Sequence, residues 1–174
     1  MNENLDKAKR LFFDYSCSKF FMSRDGADSE YKQYGVTPEL EEEWRKEYIA
    51  YWTARLSTDD FEAASSLDHA WAGEALPDLI RMCNQAEGYA KLQYAEIIWR
   101  LATGTKTTDD IQQQAMETCL KAWKSLLDGR FNIPEHFRKK IDLKMAPINK
   151  ITPEEYVINS ARRQLEAAQK RKFS

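Results

Sequence analysis

The sequence predicts an all-α domain of about eight helices arranged in antiparallel pairs. Three observations carry this expectation. Apolar residues recur at steps of three and four through most of the chain. Thr, Ser, Asp and Pro stand in front of these stretches, where a helix needs a cap and a first turn. Only 6 Gly and 5 Pro occur in 174 residues, too few for the many turns of a sandwich or barrel. Period-two alternation is nowhere sustained long enough for a strand.

The first helix is expected over residues 5–22. Leu5, Ala8, Phe12 and Tyr15 share one stripe, and Phe13, Cys17, Phe20 and Phe21 share its neighbour. The polar stretch 23–36, with Gly26 and Gly35, reads as the long loop. Thr37 as a cap, Pro38 in the first turn and Glu39, Glu41, Glu42 and Glu43 at the positive end of the dipole open a helix over 37–56. Ser57-Thr58-Asp59-Asp60 caps the next, 61–72, which Gly73 ends. Pro77 opens 76–86, and Gly88 turns the chain into 89–102. That helix is apolar over more than half its circumference and is expected at the centre, with Leu92, Ile98 and Leu101 buried. Thr107-Thr108-Asp109-Asp110 caps 109–127, stopped by Gly129. A basic helix over 134–145 follows, ending before Pro147. Thr152-Pro153-Glu154-Glu155 is a capping box for 152–169, which trails into a flexible basic tail over 170–174.

Paired helices with short connections build either a compact bundle or a short α-solenoid. The segment 76–102 resembles a HEAT-like repeat: Leu76-Pro77-x-Leu79-Ile80 opens it, Lys91 stands early in its second helix, and Ala95 and Leu101 are spaced as that helix requires. The resemblance is clearest over this segment; the helices over 38–56 and 61–72 would form a preceding unit and those over 109–127 and 134–145 a following one, and the long flanking helices make any array irregular. It implies recognition of another protein. The whole chain, 1–174, is expected to form one domain.

Composition narrows function mainly by exclusion. No apolar run is long enough for a transmembrane helix, and the opening MNENLDKAKR lacks a signal-peptide core, so a cytoplasmic location is expected. Cys17, Cys83 and Cys119 sit in apolar-periodic stretches and read as reduced core residues. His69 and His136 with these cysteines give no metal-ligand spacing, and no phosphate-binding or nucleophile-elbow motif occurs, so no metal or cofactor is expected. Asp68-His69 cannot act as an orienter and its base, because adjacent helix residues point about 100° apart. The net charge of −2 conceals an asymmetry: residues 1–75 hold 16 acids and 9 bases, whereas residues 130–174 hold 5 acids and 11 bases.

Two sets of residues are candidates for contact with a partner. Aromatic residues form 12 % of the chain, and most pack inside a helical domain. Tyr48, Tyr51, Tyr89 and Tyr94 are the candidates for a protein-binding surface, although core packing competes for each. Lys139, Lys140, Lys144, Lys150, Arg162 and Arg163 form a candidate basic patch for nucleic acid. The reading favoured by the sequence is a non-catalytic protein-binding module, of which a bacterial immunity- or regulatory-type protein is one form. Nucleic-acid association through the basic third is the alternative.

Overall fold

The computed structural model describes residues 3–145 and 151–172, except the side chains of 142–145 and of 171–172. It is all-helical, with 77 % helix and no strand among the described residues. The helices are α1 (Glu3–Asp14), α2 (Lys19–Arg24), α3 (Asp28–Gln33), α4 (Pro38–Thr53), α5 (Glu62–His69), α6 (Leu76–Gln85), α7 (Gly88–Gly104), α8 (Asp109–Leu127), α9 (Glu135–Met145) and α10 (Pro153–Lys172). A 3-10 turn, Gly73–Ala75, joins α5 to α6.

The core is organised around α7, which packs against α5, α6, α8 and α10. Leu92, Tyr94, Ala95, Ile98, Leu101 and Ala102 have no exposed surface. Each fully buried Leu or Ile contributes about 1.5–3 kcal/mol through loss of apolar surface from water. Small residues let the neighbouring helices approach: Ala95 faces α8, where its carbonyl accepts the Cys119 thiol at 3.2 Å. The expected central helix is therefore central, and Leu92, Ile98 and Leu101 lie where the periodicity places them.

Several helix starts follow their capping residues. The amide of Leu40 donates to Thr37 Oγ1 at 3.3 Å, and the amide of Glu62 donates to Asp60 Oδ1 at 3.0 Å. Thr152 and Glu155 form the full reciprocal box. The Glu155 amide donates to Thr152 Oγ1 (3.2 Å), and the Thr152 amide donates to Glu155 Oε2 (2.7 Å). Thr108 occupies the N-cap of α8 with extended backbone but makes no side-chain cap bond.

The N-terminal third departs from expectation. The helix expected over 5–22 breaks into α1 and α2. Ser16 and Cys17 adopt positive φ of 51° and 57°. The Cys17 amide donates to Phe12 O (2.8 Å) and the Ser16 amide to Phe13 O (2.9 Å). This is a Schellman ending with serine where glycine is usual. Ser18 Oγ then accepts the Phe21 amide at 3.4 Å and caps α2. The stretch 23–36 is not one long loop. It contains α3 and part of α2, hinged at Gly26 with φ 82°. The helix expected over 61–72 also stops early, at His69. Trp71 takes φ 51°, with its amide bonded to Asp68 O and the Ala72 amide to Leu67 O, both at 3.0 Å. Trp71 does not join the core with the other tryptophans but is 50 % exposed. Residues 170–172, expected in a flexible tail, continue α10.

Gly73 has no special φ, and its role is steric. A Cβ there would stand 2.3 Å from Thr105 Oγ1. Gly104 plays the same part at the end of α7, where a Cβ would meet Trp71 Cζ3 at 2.3 Å. The exposed indole of Trp71 therefore lies across a glycine.

Candidate functional surface

Helix α1 ends in a cluster of rings. Phe12 is buried and packs on Tyr31 (5.8 Å between centroids) and Trp44 (6.3 Å), tying α1 to α3 and α4. Phe13, one position on, turns toward α4 and meets Tyr48 edge-on at 5.2 Å. Tyr48 meets Trp52 at 6.0 Å, and Tyr51 meets Trp52 at 5.0 Å with the planes at 89°. Phe13, Asp14, Glu47, Tyr48, Tyr51 and Trp52 line a recess of about 430 Å³.

A second recess, about 260 Å³, lies at the same helix end. It is lined by Asp14, Tyr15, Ser16, Phe21, Arg24, Asp25 and His69. The glycine-free ending of α1 builds it, because the turn at Ser16 and Cys17 folds α2 back so that Phe21 reaches the His69 ring at 5.8 Å. Phe20 stands beside Phe21 at 5.5 Å and is 70 % exposed. Asp14 belongs to both recesses, so the two form one continuous surface.

The structure distributes the four candidate tyrosines unequally. Tyr51 is 48 % exposed, and Tyr48 is buried yet supplies the floor of the larger recess. Tyr89 and Tyr94 are not surface residues. Tyr89 packs among Phe61, Phe137 and Tyr156. The Tyr94 hydroxyl donates to Ser57 O at 2.8 Å, and burial pushes its pKa up to about 12. Their positions on α7 face the helices that cover it, which is why both are enclosed. Phe20 and Trp71 were not among the candidates. The sequence trace of both turns is faint: the apolar pairs Phe12–Cys17 and Leu67–Ala72, five residues apart, match the contact that accompanies a Schellman ending, but the helical periodicity that runs on across each break masks it.

Cations on this surface sit on rings. Lys9 Nζ lies 5.4 Å from the Phe13 centroid and 2.6 Å from Glu47. Arg24 lies 5.0 Å from the Phe21 ring and pairs with Asp25 at 2.6 Å. The Arg55 guanidinium lies 3.4 Å from the Tyr51 centroid and donates to Tyr51 O at 3.1 Å. Arg45 braces the α5 ending that presents Trp71, donating to Ala70 O (2.6 Å) and Trp71 O (3.2 Å).

The candidate basic patch is spread over two helices. Lys139 and Lys140 are exposed on α9, and Arg162 and Arg163 are exposed on α10. Lys140 lies 5.7 Å from the Phe137 ring, Arg162 donates to Asn159, and Arg163 donates to Ser160. The Lys144 side chain and Lys150 lie outside the described residues. Arg138, between these helices, bonds Glu154 and holds its carboxyl below the usual range.

The remaining polar groups are structural in their contacts. Asp68 is held by Arg100 (2.6 and 3.2 Å), not by His69. Burial pushes Cys17 and Cys83 up to about 12 and Cys119 higher still. No cluster of three or more His, Cys, Asp or Glu among the described residues is placed to hold a metal ion. Among the described residues no helix is long and apolar enough to cross a membrane. No protein-family model, curated protein or solved structure matches the chain.

Proposed function

We propose that this chain is a cytoplasmic protein-binding module that docks its partner on the surface around the end of α1. One observation carries the reading. Of the large exposed apolar side chains of the N-terminal half, Tyr51 lines one of two connected recesses, Phe20 stands beside Phe21 of the other, and Trp71 follows that recess's His69 by two residues, with left-handed turns at the non-glycine residues Ser16 and Trp71 helping to present them. A left-handed turn at a residue with a side chain costs about 1–2 kcal/mol. Such strain concentrates at functional sites. Half-exposed Trp and Tyr are among the side chains that dominate protein–protein affinity. Three buried thiols with raised pKa fit a reducing compartment, which is the basis for the cytoplasmic part of the reading.

The test compares capture from host lysate by the native chain, by Phe20→Ser with Tyr51→Ser and Trp71→Ser, and by Leu127→Ser. Leu127 is also exposed, but lies on α8. Circular dichroism melts establish that each variant folds. A specific partner should be lost with the triple variant and retained by Leu127→Ser. Retention by the triple variant overturns the reading. The exposed Lys139, Lys140, Arg162 and Arg163, within a segment of 5 acids and 11 bases, support nucleic-acid association as the competing function. That alternative requires capture of nucleic acid that the triple variant keeps and that falls steeply with salt.

A further inference from the structure

Asp14 is the one carboxylate lining the two recesses that no other described residue engages. It is exposed, it borders both, and among the described residues it makes no hydrogen bond or ion pair. The other two acids of the recesses are held, Asp25 by Arg24 and Glu47 by Lys9, each at 2.6 Å. Around Asp14 stand Tyr15 and Phe21 on one side and Phe13, Tyr51 and Trp52 on the other. The surface already shows how it receives positive charge. Lys9 and Arg24 each combine a carboxylate with a ring, on Phe13 and Phe21, and Arg55 combines a backbone carbonyl with the ring of Tyr51. An incoming cation at Asp14 finds the same combination vacant.

We infer that the surface docks a basic segment of a partner protein, with one Arg or Lys placing its charged head on Asp14 while its stem and apolar flanks cover the recesses. This rests on the docking reading above and adds the partner's chemistry to it. Two further features agree. The recess of about 430 Å³ is roomy enough to receive a side chain and its flanks, and it is lined by the edge-on rings of Tyr48, Tyr51 and Trp52. Residues 1–75 carry 16 acids against 9 bases, so their field attracts a basic segment and repels a polyanion. Ring faces and a carboxylate together hold Arg and Lys at short range.

The probe is a phage-displayed library of random linear peptides, selected on the full chain. Selected peptides should carry an Arg or Lys. Changing that residue to Gln should weaken binding about tenfold, and Asp14→Asn should do the same to the unchanged peptide. Selection on Asp14→Lys should enrich Asp or Glu at the matching position. Asp14 is exposed, so neither variant disturbs the core, and thermal melts verify this. Peptides that are weakened by Tyr51→Ser or Trp71→Ser, yet lack a cation or ignore Asp14→Asn, would overturn the cation inference and leave the docking surface standing. Peptides indifferent to Phe20, Tyr51 and Trp71, or no selection at all, would overturn both.

Discussion

Gly104→Ala tests whether the Trp71 ring is held where the structure places it. A Cβ at position 104 would stand 2.3 Å from Cζ3, 3.2 Å from Cε3 and 3.3 Å from Cη2 of Trp71. Non-bonded carbons prefer about 3.5–4.0 Å, so the indole must retreat by more than about 1 Å. Trp71 is half exposed and free to swing outward. Swinging out forfeits much of the roughly 100 Å² that a half-covered indole keeps from water, worth about 1.5–2.5 kcal/mol at the usual coefficient. Against this, alanine is better than glycine in a helix by up to about 1 kcal/mol. The net expectation is a loss of about 1 kcal/mol in the native background. In Trp71→Ala the obstacle is gone, and Gly104→Ala should instead stabilise by about 0.5–1 kcal/mol. Urea melts of the four proteins give the coupling directly, expected near 2 kcal/mol. Equal stabilisation by Gly104→Ala in both backgrounds would refute the placement of the ring against Gly104.

Three further outcomes follow from the packing and the titrating groups. Ile98→Ala and Leu101→Ala, both without exposed surface, should each cost about 2–5 kcal/mol in denaturant melts, and losses below about 1 kcal/mol at both would displace α7 from the centre. Ser16→Gly should raise stability by about 0.5–1 kcal/mol, since relief of the left-handed strain exceeds the added freedom of the unfolded chain; a decrease would contradict the turn geometry. The buried thiols predict an alkaline loss. Below the ordinary thiol value of 9.0 both states are protonated and the contribution is whole. As pH rises from there toward about 12, only the unfolded chain sheds protons from Cys17 and Cys83, so stability falls by up to about 1.4 kcal/mol per pH unit for each thiol. Urea midpoints measured from pH 8 to 10.5 should decline, and replacing these cysteines by alanine should flatten that slope; an unchanged slope would exclude the thiols as its source.

Much of the helical order was legible because its signals are local. Thr37-Pro38, Asp60 and Thr152-x-x-Glu155 announce starts, and the apolar steps of α7 announce a helix covered on several sides. The break after Asp14 was hidden. Leu5 to Phe21 keeps helical periodicity across it, and the residues forced into positive φ are Ser16 and Cys17, which carry no turn signature. The early end of α5 was hidden in the same way, with Gly73 drawing attention two residues too late. Surface assignment failed where periodicity stops informing. Tyr89 and Tyr94 stand on a helix enclosed by four others, and Trp71 is held outside by backbone geometry and by Gly104. The recesses were invisible in the sequence because they join residues from α1, α2, α4 and α5, which stand far apart along the chain.

The arrangement of partners around α7 sets how the molecule opens. Amides of a helix that four others cover exchange with deuterated solvent only when the whole fold comes apart. The N-terminal corner is different. Helices α1 and α3 reach α4 through the rings of Phe12, Tyr31 and Trp44, with Phe13 on Tyr48 and Lys9 on Glu47 beside them, contacts that can part while α6, α7 and α8 remain assembled. Its amides should therefore trade isotopes through a cheaper, partial opening. A partner seated at Asp14 would suppress that opening, so occupancy can be read as slowed exchange in α1 and α2, with α7 unchanged and serving as the internal clock.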